Sequence, residues 1–215
     1  MKIAIIGATG FVGSKLVTEF INRGHEVTAV SRQPVPDGRP GVNAVKSDVF
    51  KVDALAHALS GHDVVVSAYN PGWENPDIYE EAIAGSKSLQ EAVKKSGAKR
   101  YIYIGGAGSL YVAPDVQLID TPEFPAEYKM GASAARDYLN FLKVEKDLDW
   151  VFFSPAIEMH QGITTGRTGK YRYGLENPVL DDNGRSILSA EDLAVVIADE
   201  VENPKHHKQR FTAAY

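Results

Sequence analysis

IAIIGATGFVGSKLV, residues 3–17, decides how the rest of the chain is read. The β-branched run Ile3-Ala4-Ile5-Ile6 stops at Gly7, and a helical apolar pattern (Phe11, Val12, Leu16, Val17, Phe20, Ile21) begins almost at once. That order predicts a strand, a tight turn and a helix. The turn carries Gly7, Gly10 and Gly13, spaced one residue wider at the start than G-x-G-x-x-G. The physical duties match: a first glycine to permit the turn, a second to let backbone approach a pyrophosphate, a third to let the helix pack closely. The helix N-terminus then faces the phosphates, so Gly7, Thr9, Gly10, Phe11, Val12 and Gly13 are the expected dinucleotide-binding turn.

Working outward, strands and helices alternate. Strands are expected over 24–32, 42–49, 63–69, 99–104 and 149–155, with a last one in the tail QRFTAAY. Helices are expected over 51–61, 77–96, about 126–146 and 190–203, the last capped by Ser189. Parallel neighbours need long crossovers, so this order predicts an α/β, Rossmann-like, doubly wound parallel sheet with helices on both faces. The whole chain, 1–215, is read as one domain, with substrate-side loops at about 69–77, 105–127 and 156–188. Such sheets bind ligands beyond the carboxyl ends of their strands, where these loops lie.

Composition narrows the classes. The chain has 215 residues, 44% hydrophobic and 24% charged, enough for a substantial core. A net charge of −5 disfavours a phosphate-driven nucleic-acid binder. With no cysteine, disulfides, a thiol nucleophile and thiolate metal sites are excluded, and no His-Glu-x-x-His spacing suggests a metal. No apolar run approaches a membrane span or a signal peptide, so a cytoplasmic protein without membrane or nucleic-acid partners is expected.

The second strand addresses which dinucleotide is bound. An acidic residue near its end would hold ribose hydroxyls, whereas arginine suits a 2′-phosphate. Here the strand ends Val30-Ser31-Arg32, and Glu26 stands at the opposite end. NADP(H) is therefore favoured over NAD(H), with Ser31 and Arg32 at the phosphate.

GATGFVG (7–13), Ser47-Asp48-Val49, GGAGSL (105–110), DTPEFPAEYK (120–129) and SPAIEMHQGITTGRTGKY (154–171) together resemble the atypical short-chain dehydrogenase/reductases known as NADH-flavin reductases. More distantly the chain is similar to biliverdin-IXβ and flavin reductases and to NmrA-like proteins. The resemblance implies that Asp48 and Val49 lie against the adenine and that Ala68, Tyr69 and Asn70 run along the cofactor. It also implies that Gly105 and Gly106 approach the nicotinamide.

One departure matters for chemistry. Short-chain dehydrogenases use Tyr-x-x-x-Lys, in which the lysine lowers the tyrosine pKa. None of the ten tyrosines here has lysine four residues on. Tyr128 is followed directly by Lys129, about 100° away around a helix, so the pair cannot substitute for that dyad. The catalytic candidates are Ser109, whose hydroxyl could donate to a bound carbonyl or flavin, and Tyr128 as proton donor. His160 is a further candidate, and His206 and His207 read as surface residues. Tyr69, Trp73 and Tyr111 offer aromatic surface for a planar acceptor.

Reduction of an electron-poor acceptor requires less of a protein than alcohol oxidation does. The leading expectation is an NAD(P)H-dependent reductase of flavin-like or quinonoid acceptors, with flavin as substrate. The alternatives are a non-catalytic NADP-sensing regulator and a sugar-nucleotide epimerase or dehydratase, the last disfavoured by the missing dyad. The expected partner is a small-molecule acceptor, and a homodimer is left open as the assembly.

Overall fold

Strand β1 (Lys2–Ile6) pairs in parallel with β2 (Glu26–Ser31) on one side and β4 (Val64–Ser67) on the other. The computed structural model describes residues 1–215, and the sheet it shows grows in both directions from that centre. It adds β3 (Val42–Lys46), β5 (Arg100–Ile104), β8 (Asp149–Ser154), β9 (Arg172–Gly174) and β10 (Gln209–Ala214) in the order β3-β2-β1-β4-β5-β8-β10-β9. Every pairing is parallel except that of the edge strand β9 with β10. The order reverses between β1 and β4, the point at which sheets of this kind bind ligands beyond the strands' carboxyl ends.

Successive strand residues point to opposite faces, so an apolar run buries both. Ile3, Ile5, Val66 and Phe153 join Leu16 and Phe20 of α1 (Phe11–Asn22) and Leu193 and Ile197 of α5 (Ala190–Glu202) in one core. Ala4, Ile6, Val65, Tyr101, Trp150 and Phe152 join Leu55 of α2 (Val52–Leu59), Leu89 of α3 (Ile78–Ser96) and Tyr138 of α4 (Lys129–Leu142) in the other. Each large side chain so buried contributes about 1.5–3 kcal/mol.

The ends of the helices follow local chemistry. Ser189 caps α5 by accepting from the Asp192 amide at 3.0 Å, as expected, and α3 stops at Gly97 with φ +74°. The helix expected over 126–146 is shorter. A 3₁₀ turn at Ala126–Tyr128 follows Pro125, α4 begins at Lys129, and it ends at Leu142. There the Glu145 carboxylate accepts from the Asp147 amide at 2.6 Å and turns the chain into β8. The loop expected at about 105–127 holds a small hairpin, β6 (Tyr111–Ala113) and β7 (Val116–Gln117), with Asp115 in the left-handed region. No helix is long and apolar enough to cross a membrane.

Candidate functional site

The turn after β1 is built from backbone. Gly7 has φ +75°, and a β-carbon there would stand 2.6 Å from the Ala68 carbonyl oxygen beyond β4. Its amide and that of Ala8 donate to the Val30 carbonyl at 3.0 and 3.3 Å, tying the turn to β2. The Gly10 amide donates to Gly7 O at 3.0 Å, and a β-carbon on Gly13 would fall 2.0 Å from that same oxygen. Only glycine lets α1 start this close to the strand. Gly10 caps α1 without a side-chain hydrogen bond, and the amides of Phe11, Val12 and Gly13 have no acceptor in the protein. Unpaired amides at the positive end of the helix dipole suit a phosphate.

At the ends of β2 and β3 the Ser31 and Ser47 hydroxyls are buried without a protein partner. The Ser47 amide donates to Ser31 O at 3.1 Å, which holds the two segments together. Arg32 is exposed beside them, and no carboxylate engages its guanidinium. Asp48 accepts from the Phe50 amide at 3.0 Å, and buried Val49 takes the Ser88 hydroxyl on its carbonyl at 2.6 Å. Donors, small hydroxyls and a free cation fit a nicotinamide dinucleotide. Beyond β4 the backbone of Ala68 and Tyr69 runs along the glycine turn, but the Tyr69 side chain does not. Its ring lies against Gly85 of α3, its hydroxyl donates to Glu81 O at 3.3 Å, and burial pushes its pKa up to about 12. Asn70 caps its own loop by accepting from the Gly72 amide at 2.7 Å.

The glycine loop after β5 sits against β8. Gly105 donates to Phe153 O at 2.9 Å, and a β-carbon on it would strike the Phe152 ring at 1.9 Å. Gly106 has room, its nearest neighbour being the Ala135 methyl at 3.6 Å. Ser109 does not face the crevice as expected: it is 1% exposed. Its carbonyl and hydroxyl oxygens accept from the Arg210 guanidinium of β10 at 2.6 and 2.9 Å. Ser109 is thus an anchor for the loop, fixed because a buried guanidinium must be given acceptors. Tyr128 is 47% exposed and meets Trp73, 55% exposed, edge to face at 5.3 Å between ring centres. Gly131 leaves the space that seats the indole; a β-carbon there would lie 2.7 Å from it. Trp73 comes from the loop after β4 and Tyr128 from the segment after β5, so the pair stands on the ligand side of the sheet.

Residues 7–204 match the NAD(P)H-binding family model. The chain belongs to that family. Over its full length this NAD(P)H-binding protein superposes on a Bacteroides thetaiotaomicron structure provisionally named an epimerase, with TM-score 0.91, 45% identity and 96% of that chain covered. A Streptococcus pneumoniae structure provisionally named an NADH-flavin reductase superposes with TM-score 0.86 and 34% identity, covering 100% of this chain and 99% of that one. YwnB of Bacillus subtilis (strain 168), an uncharacterized protein, is 37% identical over 99% of this chain and 97% of its own length.

The third ligand-side loop of this NAD(P)H-binding protein is fastened by groups that sequence reasoning missed. Asp192, 0% exposed, accepts from the Thr168 amide and hydroxyl, the Gly169 amide and the Tyr215 hydroxyl. Arg167 reaches buried Glu19 of α1 at 2.8 Å, and that hydrogen bond holds the Glu19 carboxyl below its usual range against the opposing effect of burial. Arg210 also pairs with Glu176 of the same loop. His160 accepts the Gly162 amide at 3.1 Å within its own exposed turn. His206 is not a surface residue: it is 7% exposed, bonded to Glu200 at 2.7 Å and stacked on Phe211, while His207 is exposed. It was hidden because Glu200 and Phe211 meet it only in the folded chain.

Proposed function

We propose that this protein is a cytoplasmic NAD(P)H-dependent reductase of the atypical short-chain dehydrogenase/reductase type, passing hydride to flavin-like or quinonoid acceptors and preferring NADPH. The observation that carries the reading is the pairing of a backbone-built dinucleotide turn with an exposed Trp73–Tyr128 pair on the same side of the sheet, without a Tyr-x-x-x-Lys dyad. The names of the Streptococcus pneumoniae and Bacteroides thetaiotaomicron structures divide between flavin reduction and epimerisation. The missing dyad weighs for the former, because an epimerase must take a proton from an alcohol and a quinonoid acceptor has none to give.

The amides of Phe11, Val12 and Gly13 hold the pyrophosphate, with Ser31 and Arg32 at the 2′-phosphate and Asp48 and Val49 beside the adenine. When bound, the nicotinamide supplies a hydride. Gly106 leaves its face uncovered, Gly105 lets the loop close on the Phe152 ring, and Arg210 keeps the loop in place through Ser109. The planar acceptor stacks on the face of one ring of the Trp73–Tyr128 pair and meets the other edge-on, and the hydroxyl of half-exposed Tyr128 passes in the proton that full reduction consumes, regaining it from water.

The test is oxidation of NADPH and NADH by purified protein with flavins and neutral quinones, alongside titrations of both cofactors. Turnover well above the enzyme-free rate, with NADPH preference reduced in Arg32→Ala, supports the reading. Tight NADPH binding without turnover on any acceptor replaces it with an NADP-sensing regulator.

A further inference from the structure

The charges around the two ends of the crevice are opposite in sign. At the cofactor end Arg32, Lys46 and Lys51 are exposed around the half-buried Asp48. At the aromatic pair, the charged residues within five positions of Trp73 or Tyr128 are Glu74, Asp77, Glu123 and Glu127 against the single cation Lys129. All four carboxylates are exposed, and none makes an ion pair. Of the third loop's cations, Arg167 and Arg185 are spent on Glu19 and Glu158, Arg172 on the Leu180 and Tyr215 carbonyls, and Lys170 makes no ion pair.

We infer that the acceptor is a planar, uncharged, phosphate-free aromatic, of the riboflavin or neutral-quinone type, and that flavin mononucleotide is selected against. The inference rests on the reductase reading above and sharpens its substrate class. The ring is recognised by the Trp73–Tyr128 surface, which is blind to what the ring carries as a tail. A phosphomonoester tail adds nearly two negative charges at neutral pH. At a ring pair whose sequence neighbours are four unpaired carboxylates, it meets repulsion worth about a tenfold loss of affinity at low ionic strength. Negative charge is welcome only at the Arg32 end, which the dinucleotide takes.

Riboflavin and flavin mononucleotide share one ring system and differ by the phosphate, so they isolate the effect. Binding of each is measured by flavin fluorescence quenching with NADP⁺ present and no turnover, across a salt series, with menadione as a quinone competitor. The expected result is riboflavin tighter by about tenfold at low salt, with the gap closing as salt screens the rim. The triple variant Glu74→Gln/Glu123→Gln/Glu127→Gln, all exposed positions, is expected to close the gap at low salt by tightening the mononucleotide alone. Equal or tighter binding of the mononucleotide, no binding of either flavin, or a gap that ignores both salt and the variant overturns the inference. Selective riboflavin binding without NADPH oxidation by any acceptor would keep the selectivity and overturn the reductase reading, so the two failures are distinct.

Discussion

The two ends of the crevice are made of different materials. At the cofactor end, Gly7, Gly10 and Gly13 meet carbonyls of their own turn and of the strands beside it, and the amides of α1 are placed by backbone alone. At the acceptor end, side chains far apart in sequence fix the loops: Arg210 holds Ser109 across 101 positions, Arg167 holds Glu19 across 148, and Trp73 rests on Tyr128. One end is geometry that a short peptide already encodes. The other exists only once the sheet has assembled.

The sharpest way to break that contrast is Arg210→Met. It leaves the buried Ser109 hydroxyl without its partner, a loss of about 1–3 kcal/mol, while half-exposed Glu176 turns to solvent and the Ser109 carbonyl keeps Gln117. Denaturant unfolding should show that loss, while the protein that remains folded should titrate with NADPH nearly as before. An equal collapse of NADPH affinity would mean that the two ends are not separate constructions. Gly13→Ala is the converse. Its methyl would lie 2.0 Å from the Gly7 carbonyl, an overpacking of about 3 kcal/mol that must open the turn and abolish cofactor binding.

A smaller effect follows from Glu145, which turns the chain from α4 into β8 behind the acceptor end. Burial acts to raise its pKa, but the Asp147 amide, Lys94 and Gln90 outweigh it and hold the carboxyl at about 2, below its ordinary 4.5. The folded pKa is depressed, so the stability this group gives is present above about pH 4.5 and is lost as pH falls toward 2. Acid titration of unfolding should show that decline, and Glu145→Gln should flatten it. The smallest effect is expected for Arg32→Ala, which removes an exposed cation and should weaken NADPH by about tenfold while sparing NADH. Parallel losses for both cofactors would remove Arg32 from the phosphate.

The sequence made the cofactor end legible because its signals are local. Glycine spacing, the apolar run before it, Ser189 as a cap and Gly97 as a stop each act within a turn of chain. The length of α4 was misread since its apolar pattern continues past Leu142, and only the Glu145 carboxylate ends it. Ser109 lay in a loop that invited a catalytic reading, and the residue that occupies it arrives from the last strand. The Trp73–Tyr128 meeting was likewise out of reach, although each ring alone was a candidate, because Gly131 had to be recognised as the space that receives the indole.

The most direct test of the central claim compares wild type with Trp73→Ala/Tyr128→Ala in single-turnover oxidation of deuterated NADPH by riboflavin, alongside NADPH titrations. The account predicts acceptor-dependent oxidation in wild type with a primary isotope effect, and a loss of at least about tenfold in the variant at unchanged NADPH affinity. Bound NADPH that no acceptor oxidises, or a variant that oxidises it as fast as wild type, would contradict it.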